Sequence, residues 1–144
     1  MYSVILTRGL ENIKNEIDME MNYLLTEHGY AAQELINIML IGRASSNVTN
    51  GDQDMGEGLI LHGIHKQSEI GFLTLFEAYE YFVVGDFYKT PKLPIWIVCS
   101  ESHYSVIFSA EFDILSKKKK VFDLVYYDEL ARQEDDIVLT VKMG

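Results

Sequence analysis

The sequence predicts an α+β fold in which N-terminal helices are followed by an antiparallel β meander. Apolar residues recur at helical spacing in the first two thirds of the chain, whereas the last third contains short alternating or continuous apolar runs. The chain has 144 residues, of which 48% are hydrophobic. It is therefore long enough to form a single domain, residues 1–144, with its own core.

Three amphipathic helices are predicted, near residues 4–16, 31–41 and 72–81. The first has apolar residues at helical spacing, Val4, Ile5, Leu10, Ile13 and Ile17, and the second has a broad apolar face of Leu35, Ile36, Ile38 and Met39. The second ends at Gly42, a residue type that often adopts the left-handed conformation just after a helix. A polar, glycine-rich loop and a short strand within "LILHGI" separate the second helix from the third.

Four strands are predicted, near residues 94–99, 103–109 and 121–127 and within "DIVLTV". The first is continuously apolar, as expected for a strand that is covered on both faces. In the second, Tyr104 and Val106 alternate with His103 and Ser105. This alternation predicts that one face enters the core and that the other lines a polar cleft.

The charge of the chain limits its partners. A net charge of −10 disfavours binding to nucleic acid or to an anionic membrane. The lysine run at residues 117–120 lies between two predicted strands, which is typical of a solvated loop. The sequence contains no signal-peptide pattern, no apolar run near the ~20 residues needed to span a bilayer, and one cysteine. We therefore expect an intracellular protein, cytoplasmic or nuclear.

His103 is the first candidate for chemistry. If Ser109 pairs near Val121 across the lysine run, counting back along the ladder brings His103 beside Tyr127 or Asp128. A carboxylate at that point would bind one ring nitrogen, fix the tautomer and leave the other nitrogen as a base. The alternative is that Asp128 only caps or ends its strand.

Other candidate groups are weaker. Cys99 lies inside a continuous apolar run, where burial raises the pKa of a thiol, so it is predicted to be a core residue and not a nucleophile. The serines near His103 lack the nucleophile-elbow pattern of serine hydrolases. His62 and His65 have a spacing found in metal sites, but no cysteine pair completes a zinc site. We therefore predict no metal and no cofactor.

Four segments together resemble a known family: "HGYAAQELINIMLIGRASSNV", "GFLTLFEAYEYF", "KTPKLPIWIVCSESHYSVIFS" and "FDLVYYDELARQEDDIVLTV". They are similar to the C-terminal half of the catalytic domain of the MINDY deubiquitinases, in the branch of family member four or its B-type paralogue. The similarity runs from about Leu25 onward, and "PIWIVCSESHYSVIFS" is its most specific part. The resemblance implies the sheet half of a divergent papain-like cysteine protease.

The resemblance also implies an activity and a substrate. The family cleaves polyubiquitin, with a preference for the lysine linkage that marks proteins for the proteasome, so ubiquitin or polyubiquitin is the expected partner. The histidine of the "SESH" block, here His103, is the family's proton acceptor. The nucleophilic cysteine and an oxyanion glutamine lie in an upstream segment that this sequence does not contain. Gln33 and Gln67 are outside that motif, and Ala31 and Ala32 replace a Cys-Thr pair.

Three readings remain open from the sequence. The chain is part of a cysteine-type deubiquitinase that lacks its N-terminal catalytic segment and is inactive alone. Alternatively, it is a catalytically inactive homologue that acts as a ubiquitin-binding or protein-interaction module. The third reading is an α+β domain with an unrelated role.

Overall fold

The computed structural model describes residues 1–116 and 119–143. It divides the chain into two compact units, Met1–Lys66 and Gln67–Gly144. Two members of the lysine run, Lys117 and Lys118, lie outside the described residues, so the predicted loop is only partly visible. Among the described residues, the helices are too short or too polar to cross a membrane.

The first unit, described throughout, contains three helices and a two-stranded ribbon: α1 (Tyr2–Arg8), α2 (Leu10–Glu16), α3 (Gln33–Ile41), β1 (Gln53–Asp54) and β2 (Ile60–Leu61). The prediction of one continuous helix over residues 4–16 is wrong at its centre. Gly9 has a φ of 81° and separates α1 from α2. Glycine lacks a Cβ, so it adopts this left-handed conformation at little steric cost and lets the chain turn.

The second predicted helix is confirmed as α3, which ends at Gly42 in the left-handed conformation with a φ of 76°. The core beside it is formed by Ile13, Ile38 and Ala44, all of them buried. Partly buried side chains from α1 and from the segments that flank α2 and precede α3 complete this cluster. Helical periodicity thus identified part of the buried face, but Leu10 and Met39, which share the predicted apolar faces, are exposed.

The described part of the second unit is built on one five-stranded sheet: β3 (Gly71–Thr74), β4 (Ile95–Ser100), β5 (His103–Phe108), β6 (Val121–Tyr127) and β7 (Ile137–Lys142). Neighbours from β4 to β7 are antiparallel, which confirms the predicted meander. Helices α4 (Leu75–Ala78) and α5 (Asp86–Lys89) lie between β3 and β4, and short 3₁₀ turns occupy Phe112–Ser116 and Glu129–Ala131.

The helix predicted over residues 72–81 is wrong in its first part. Its start belongs to β3, which pairs parallel with β4 so that Phe72 lies opposite Ile97. Phe72 is buried against the ring of Tyr88, with the ring centroids 5.9 Å apart. A Cβ on Gly71 would come within 2.3 Å of the Trp96 ring, so this close approach requires glycine. Tertiary pairing overrides the helical spacing of the sequence.

The predicted polar cleft does not continue along β5. Ser105 and Ser109 are buried, whereas Tyr104 and Val106 on the other face are partly exposed. Ser105 lies beside Val98 of β4 on this face. Of the polar residues on this face, only His103, at the end of the sheet, is partly exposed.

Candidate functional site

His103 and Asp128 lie together at one end of the sheet. His103 is the first residue of β5, and Asp128 directly follows the last residue of β6. The ring nitrogen Nε2 of His103 is 2.7 Å from Oδ2 of Asp128. The expected contact between these two side chains is therefore present in the structure.

The register from which we expected this contact is wrong. Val106 lies opposite Tyr127 and Phe108 opposite Val125, so continuing the ladder places Ser109 at Leu124, three residues from the predicted partner. The reason is that the β5–β6 connection contains a 3₁₀ turn as well as the lysine run. Asp128 still reaches His103, because it follows the end of β6 and is free of the ladder.

Several groups hold the Asp128 carboxylate. Its Oδ1 accepts a hydrogen bond from the backbone N–H of Leu130 at 3.0 Å, and its Oδ2 accepts one from the hydroxyl of Tyr126 at 3.3 Å. The side chain of Gln133 accepts from the Asp128 N–H at 2.6 Å and donates to the Tyr126 carbonyl at 3.2 Å. Asp128 therefore both caps the turn after β6 and contacts the imidazole of His103.

Tyr126 and Gln133 were not identified from the sequence. The only available signal was the capping potential of the aspartate. Gln133 reaches the backbone of Asp128 and Tyr126 because the chain reverses at Arg132. This residue ends the 3₁₀ turn in the left-handed conformation, with a φ of 49°. Such a conformation is uncommon outside glycine, asparagine and aspartate, so an arginine gives little indication of it.

The electrostatics of the pair favour an ionised carboxylate. The hydrogen bond from His103 is the main cause that holds the pKa of Asp128 below its usual value. The His103 side chain is 39% exposed, whereas that of Asp128 is 12% exposed. No hydrogen bond to Nδ1 of His103 forms within residues 1–116 and 119–143. The pair can thus present Nδ1 to a substrate or to another side chain.

Cys99 does not share this site. It lies opposite Tyr104 in the β4–β5 ladder, so it projects from the face of the sheet opposite to that of His103. Its thiol is buried, it donates to the Glu101 carbonyl at 3.1 Å, and burial raises its pKa. The prediction that Cys99 is a core residue is confirmed. Ser100 does lie opposite His103 in the ladder, but no side-chain hydrogen bond joins the two.

Uncommon backbone conformations accumulate at this end of the sheet. Glu101, in the tight turn between β4 and β5, has a φ of 58°, and Arg132 lies close in sequence beyond Asp128. A third left-handed residue, Glu80 with a φ of 62°, follows α4, which begins where β3 ends. Residues in sparsely populated conformations tend to accumulate at functional sites, where the surroundings hold them in place.

The other candidate residues lie elsewhere and have structural partners. Nδ1 of His62 contacts the carboxylate of Asp18, and Nε2 of His65 is 2.6 Å from the carboxylate of Asp52. Within the described part of the chain, no cluster of three or more His, Cys, Asp or Glu side chains could hold a metal ion. Of the lysine run, Lys119 forms ion pairs with acidic residues of the β5–β6 connection.

Both glutamines that the sequence analysis set aside are also engaged. The side-chain amide of Gln33 donates to Asn37 within α3 at 3.0 Å. That of Gln67 donates to the carbonyl of Thr90 at 2.7 Å. Neither glutamine hydrogen-bonds to His103 or Asp128.

The family model and the most similar curated proteins indicate the same family. Residues 1–144 match the family described as "Deubiquitinating enzyme MINDY-3/4, conserved domain". The chain is 49% identical to the probable ubiquitin carboxyl-terminal hydrolase MINDY-4 of Mus musculus, over 96% of the chain and 20% of that protein. The corresponding protein of Homo sapiens is 48% identical over 96% of the chain and 19% of its own length.

A second branch of the family matches as well. The ubiquitin carboxyl-terminal hydrolase MINDY-3 of Danio rerio is 49% identical over 81% of the chain and 26% of its own length. The chain thus spans about a fifth to a quarter of the length of these relatives. No solved structure matches the chain.

Proposed function

Because the chain belongs to the MINDY-3/4 family of deubiquitinating enzymes, we propose that it carries the proton acceptor of a cysteine-type deubiquitinase. In this proposal His103 is the catalytic base and Asp128 is the residue that positions it. The sheet β3–β7 is the sheet half of a divergent papain-like protease. The substrate is polyubiquitin of the lysine linkage that marks proteins for the proteasome.

The observation that carries the proposal is the arrangement around the imidazole. Nε2 is bound at 2.7 Å to a carboxylate whose other contacts come from Leu130 and Tyr126. Nδ1 forms no hydrogen bond within the described residues. A general base needs one free nitrogen and a fixed ring orientation, and this arrangement meets both requirements.

The reaction assigns His103 four proton transfers, two in each stage. Nδ1 takes the proton of a cysteine thiol, and the resulting thiolate attacks the isopeptide carbonyl to form a C–S bond. When the C–N bond breaks, the imidazolium returns its proton to the leaving lysine amine. Nδ1 then takes a proton from a water molecule, whose hydroxyl attacks the thioester carbonyl. The C–S bond breaks, the carboxylic acid product leaves, and the imidazolium returns its proton to the cysteine sulfur, which regenerates the thiol. The Asp128 carboxylate stabilises the imidazolium formed at each stage.

The nucleophile in this proposal belongs to a segment N-terminal to this chain. Cys99 is buried on the opposite face from His103, which makes it unsuitable. A cysteine at a helix N-terminus would have its pKa lowered by the partial positive charge there. The apolar side chains exposed on β7, Ile137, Val138 and Leu139, are suited to packing against a further segment.

The same site supports a second candidate function. Within the described residues, no nucleophilic side chain hydrogen-bonds to His103. A protein that lacks an upstream cysteine would retain the sheet and the surface around His103 without the means to cleave. Such a protein would act as a ubiquitin-binding or protein-interaction module.

A gel-based cleavage assay on purified polyubiquitin of the proteasome-targeting linkage tests the proposal. We expect no cleavage by residues 1–144 alone, because members of a catalytic unit contribute little in isolation. A protein that includes the upstream Cys-bearing helix should cleave the chains. In that protein His103→Ala should lower kcat by about 10³-fold or more, whereas Cys99→Ala should change it less than about twofold.

Three results would count against this assignment. Robust cleavage by residues 1–144 alone would mean that the nucleophile lies within the chain. Undiminished turnover in His103→Ala would mean that another residue is the base. Loss of turnover in a natively folded Cys99→Ala protein would make Cys99 the nucleophile after all.

A further inference from the structure

An exposed aromatic surface follows α4. It consists of Phe76 on that helix and the aromatic loop, residues 79–83. In this loop Tyr81 is 73% exposed and Val83 is 65% exposed. The rings of Phe76 and Tyr81 have centroids 6.0 Å apart, and those of Tyr79 and Tyr81 are 6.1 Å apart. A contiguous patch of large exposed apolar side chains indicates an interaction surface.

Hydrogen bonds and a buried valine fix the backbone of the loop, although its aromatic rings are exposed. The N–H of Tyr81 donates to the Phe76 carbonyl at 3.0 Å. Val84 is fully buried, and its N–H donates at 3.0 Å to Glu77, which also forms an ion pair with Lys89 at 2.9 Å. A surface that is ordered before binding loses less conformational entropy when a partner arrives.

The topology brings this surface to the end of the sheet that carries His103. β3 runs parallel to β4, with Thr74 opposite Cys99, so α4 begins at the end where β4 stops and β5 starts. His103 is on β5, two strands from β3. Adjacent strands lie ~4.8 Å apart, so the start of α4 is roughly 10 Å from the β5 strand. An extended peptide covers that distance with about three residues.

The charge around the loop is acidic. The carboxylates of Glu80 and Asp86 form no ion pair or hydrogen bond within the described residues. Glu77 is neutralised by Lys89. Aromatic faces beside free carboxylates favour a partner with apolar and guanidinium side chains, because arginine both stacks on rings and pairs with acids.

We propose that the aromatic loop binds the C-terminal tail of ubiquitin and directs the scissile bond toward His103. This inference rests on the proposed function. The tail is an extended segment whose leucine and arginine side chains precede two glycines. Its arginines match the free carboxylates of Glu80 and Asp86, and its leucines match the exposed rings. With its scissile bond at His103, an extended tail reaches the start of α4, the helix that leads into the loop, within about three residues.

Binding of ubiquitin to the 144-residue chain tests the inference. Isothermal titration calorimetry would compare intact ubiquitin with ubiquitin that lacks the tail. We expect Tyr81→Ala to weaken binding of intact ubiquitin about tenfold or more, as truncation of an aromatic anchor does. The matched control is Phe112→Ala, which removes a ring of 65% exposure from the β5–β6 connection at the opposite end of the sheet. It should change the affinity less than about twofold.

A charge substitution provides a second readout. Glu80→Lys should weaken binding roughly two- to fivefold, and less so at high salt. Glu57→Lys is the matched control, because Glu57 is also an exposed glutamate in the left-handed conformation, with a φ of 53°, and carries the same charge change. It lies in the first unit and should leave the affinity unchanged.

Distinct results separate this inference from the proposed function. Equal affinity for intact and tail-less ubiquitin, no measurable binding of ubiquitin, or full affinity in natively folded Tyr81→Ala would each overturn it. In the cleaving protein, Tyr81→Ala should raise KM with little change in kcat, whereas His103→Ala lowers kcat. Tail-dependent binding that Tyr81→Ala weakens, in a protein that never cleaves, would support the inference and refute the enzymatic proposal.

Discussion

Two Asp–His pairs in this chain resemble each other in their atoms and differ in their surroundings. In the first unit, both oxygens of Asp18 contact His62: Oδ2 accepts from its backbone N–H at 2.8 Å, and Oδ1 contacts its ring. In the second unit, the oxygens of Asp128 are divided among His103, Leu130 and Tyr126. The first carboxylate is 2% exposed and the second is 12% exposed.

The difference separates Asp18, which acts as a structural clamp, from Asp128, whose carboxylate has partners other than its histidine. Asp18 lies just after α2 and joins that segment to the backbone and ring of one residue beside β2, so its main consequence is to hold two segments together. Asp128 is fixed by groups other than its histidine, so it can orient the ring of His103 in advance. An Asp–His contact is therefore weak evidence of catalysis until the other partners of the aspartate are known.

The largest expected effect is on turnover. In the cleaving protein, Asp128→Ala should lower kcat by about tenfold or more, because the imidazole loses its orientation and the charge that stabilises its protonated form. Asp128→Asn should restore part of the rate, since an amide oxygen can still orient the ring. Asp18→Ala is the matched control, and its kcat per folded molecule should stay within about twofold. Equal losses from both alanine variants in steady-state assays would remove the distinction between the pairs.

The second effect is on stability, where Asp18→Ala should have a larger effect than Asp128→Ala. Asp18→Ala should lower the free energy of unfolding by about 2–3 kcal/mol, because it leaves the backbone N–H of His62 without its acceptor in a buried setting. Asp128→Ala should lower it less, because its surroundings are more exposed. Urea unfolding of the 144-residue chain, followed by circular dichroism, measures both. A larger loss from Asp128→Ala would contradict the assignment of Asp18 as the structural clamp.

The pH dependence of the Asp18 contribution follows from its pKa. Burial alone would raise that pKa, but the nearby Ser46 hydroxyl and the contacts with the ring and backbone of His62 together outweigh burial and lower it. An acid whose folded-state pKa is lowered adds stability above its unfolded pKa and loses it as the pH falls through the folded pKa. The stability difference between wild type and Asp18→Ala should therefore shrink in acid. A difference that stays constant down to about pH 3 would exclude this linkage.

The smallest expected effect concerns a second buried carboxylate of the first unit. Glu34 accepts from Asn22 at 2.7 Å, and burial raises its pKa. The folded state thus binds the Glu34 proton more tightly than the unfolded state, so its contribution to stability is present below the unfolded pKa and is lost as the pH rises. Glu34→Gln resembles the protonated form and should stabilise the chain by ~1 kcal/mol or less at pH 7, but not near pH 4.

Thermal unfolding at the two pH values checks this last effect. Glu57→Gln removes an exposed carboxylate and serves as the matched control. A Glu34→Gln variant that is less stable than wild type at pH 7 would contradict the prediction. That result would mean that the charge of Glu34 contributes to the fold of the first unit.

The sequence predicted more of the second unit than of the first. The strands near residues 94–99, 103–109 and 121–127 match β4, β5 and β6 to within one residue at each end. Continuous apolar and β-branched runs bounded by turns leave few alternatives for these segments. In the first unit, α3 was predicted correctly, but the break at Gly9 was not. A single glycine is compatible with either a continuous or an interrupted helix, so packing decides between them.

The errors in the second unit share a cause. β3 was taken for a helix because Phe72 and Phe76 fall at helical spacing, although Phe72 is buried in the sheet opposite Ile97. The β5–β6 register was wrong by three residues because a 3₁₀ turn lengthens the connection. Both features depend on residues distant in sequence. Local periodicity carries no information about such pairing.

The sequence by itself determined that this chain forms helices followed by a meander, that Cys99 lies in the core, and that His103 opens a strand. These follow from hydrophobic pattern and composition, which act over a few residues. Only the tertiary structure decided that Asp128 binds Nε2, that Tyr126 and Leu130 hold its carboxylate, and that Cys99 faces away from His103. Those contacts depend on strand register and on the backbone conformation of turns, where an error of one residue moves a side chain to the other face.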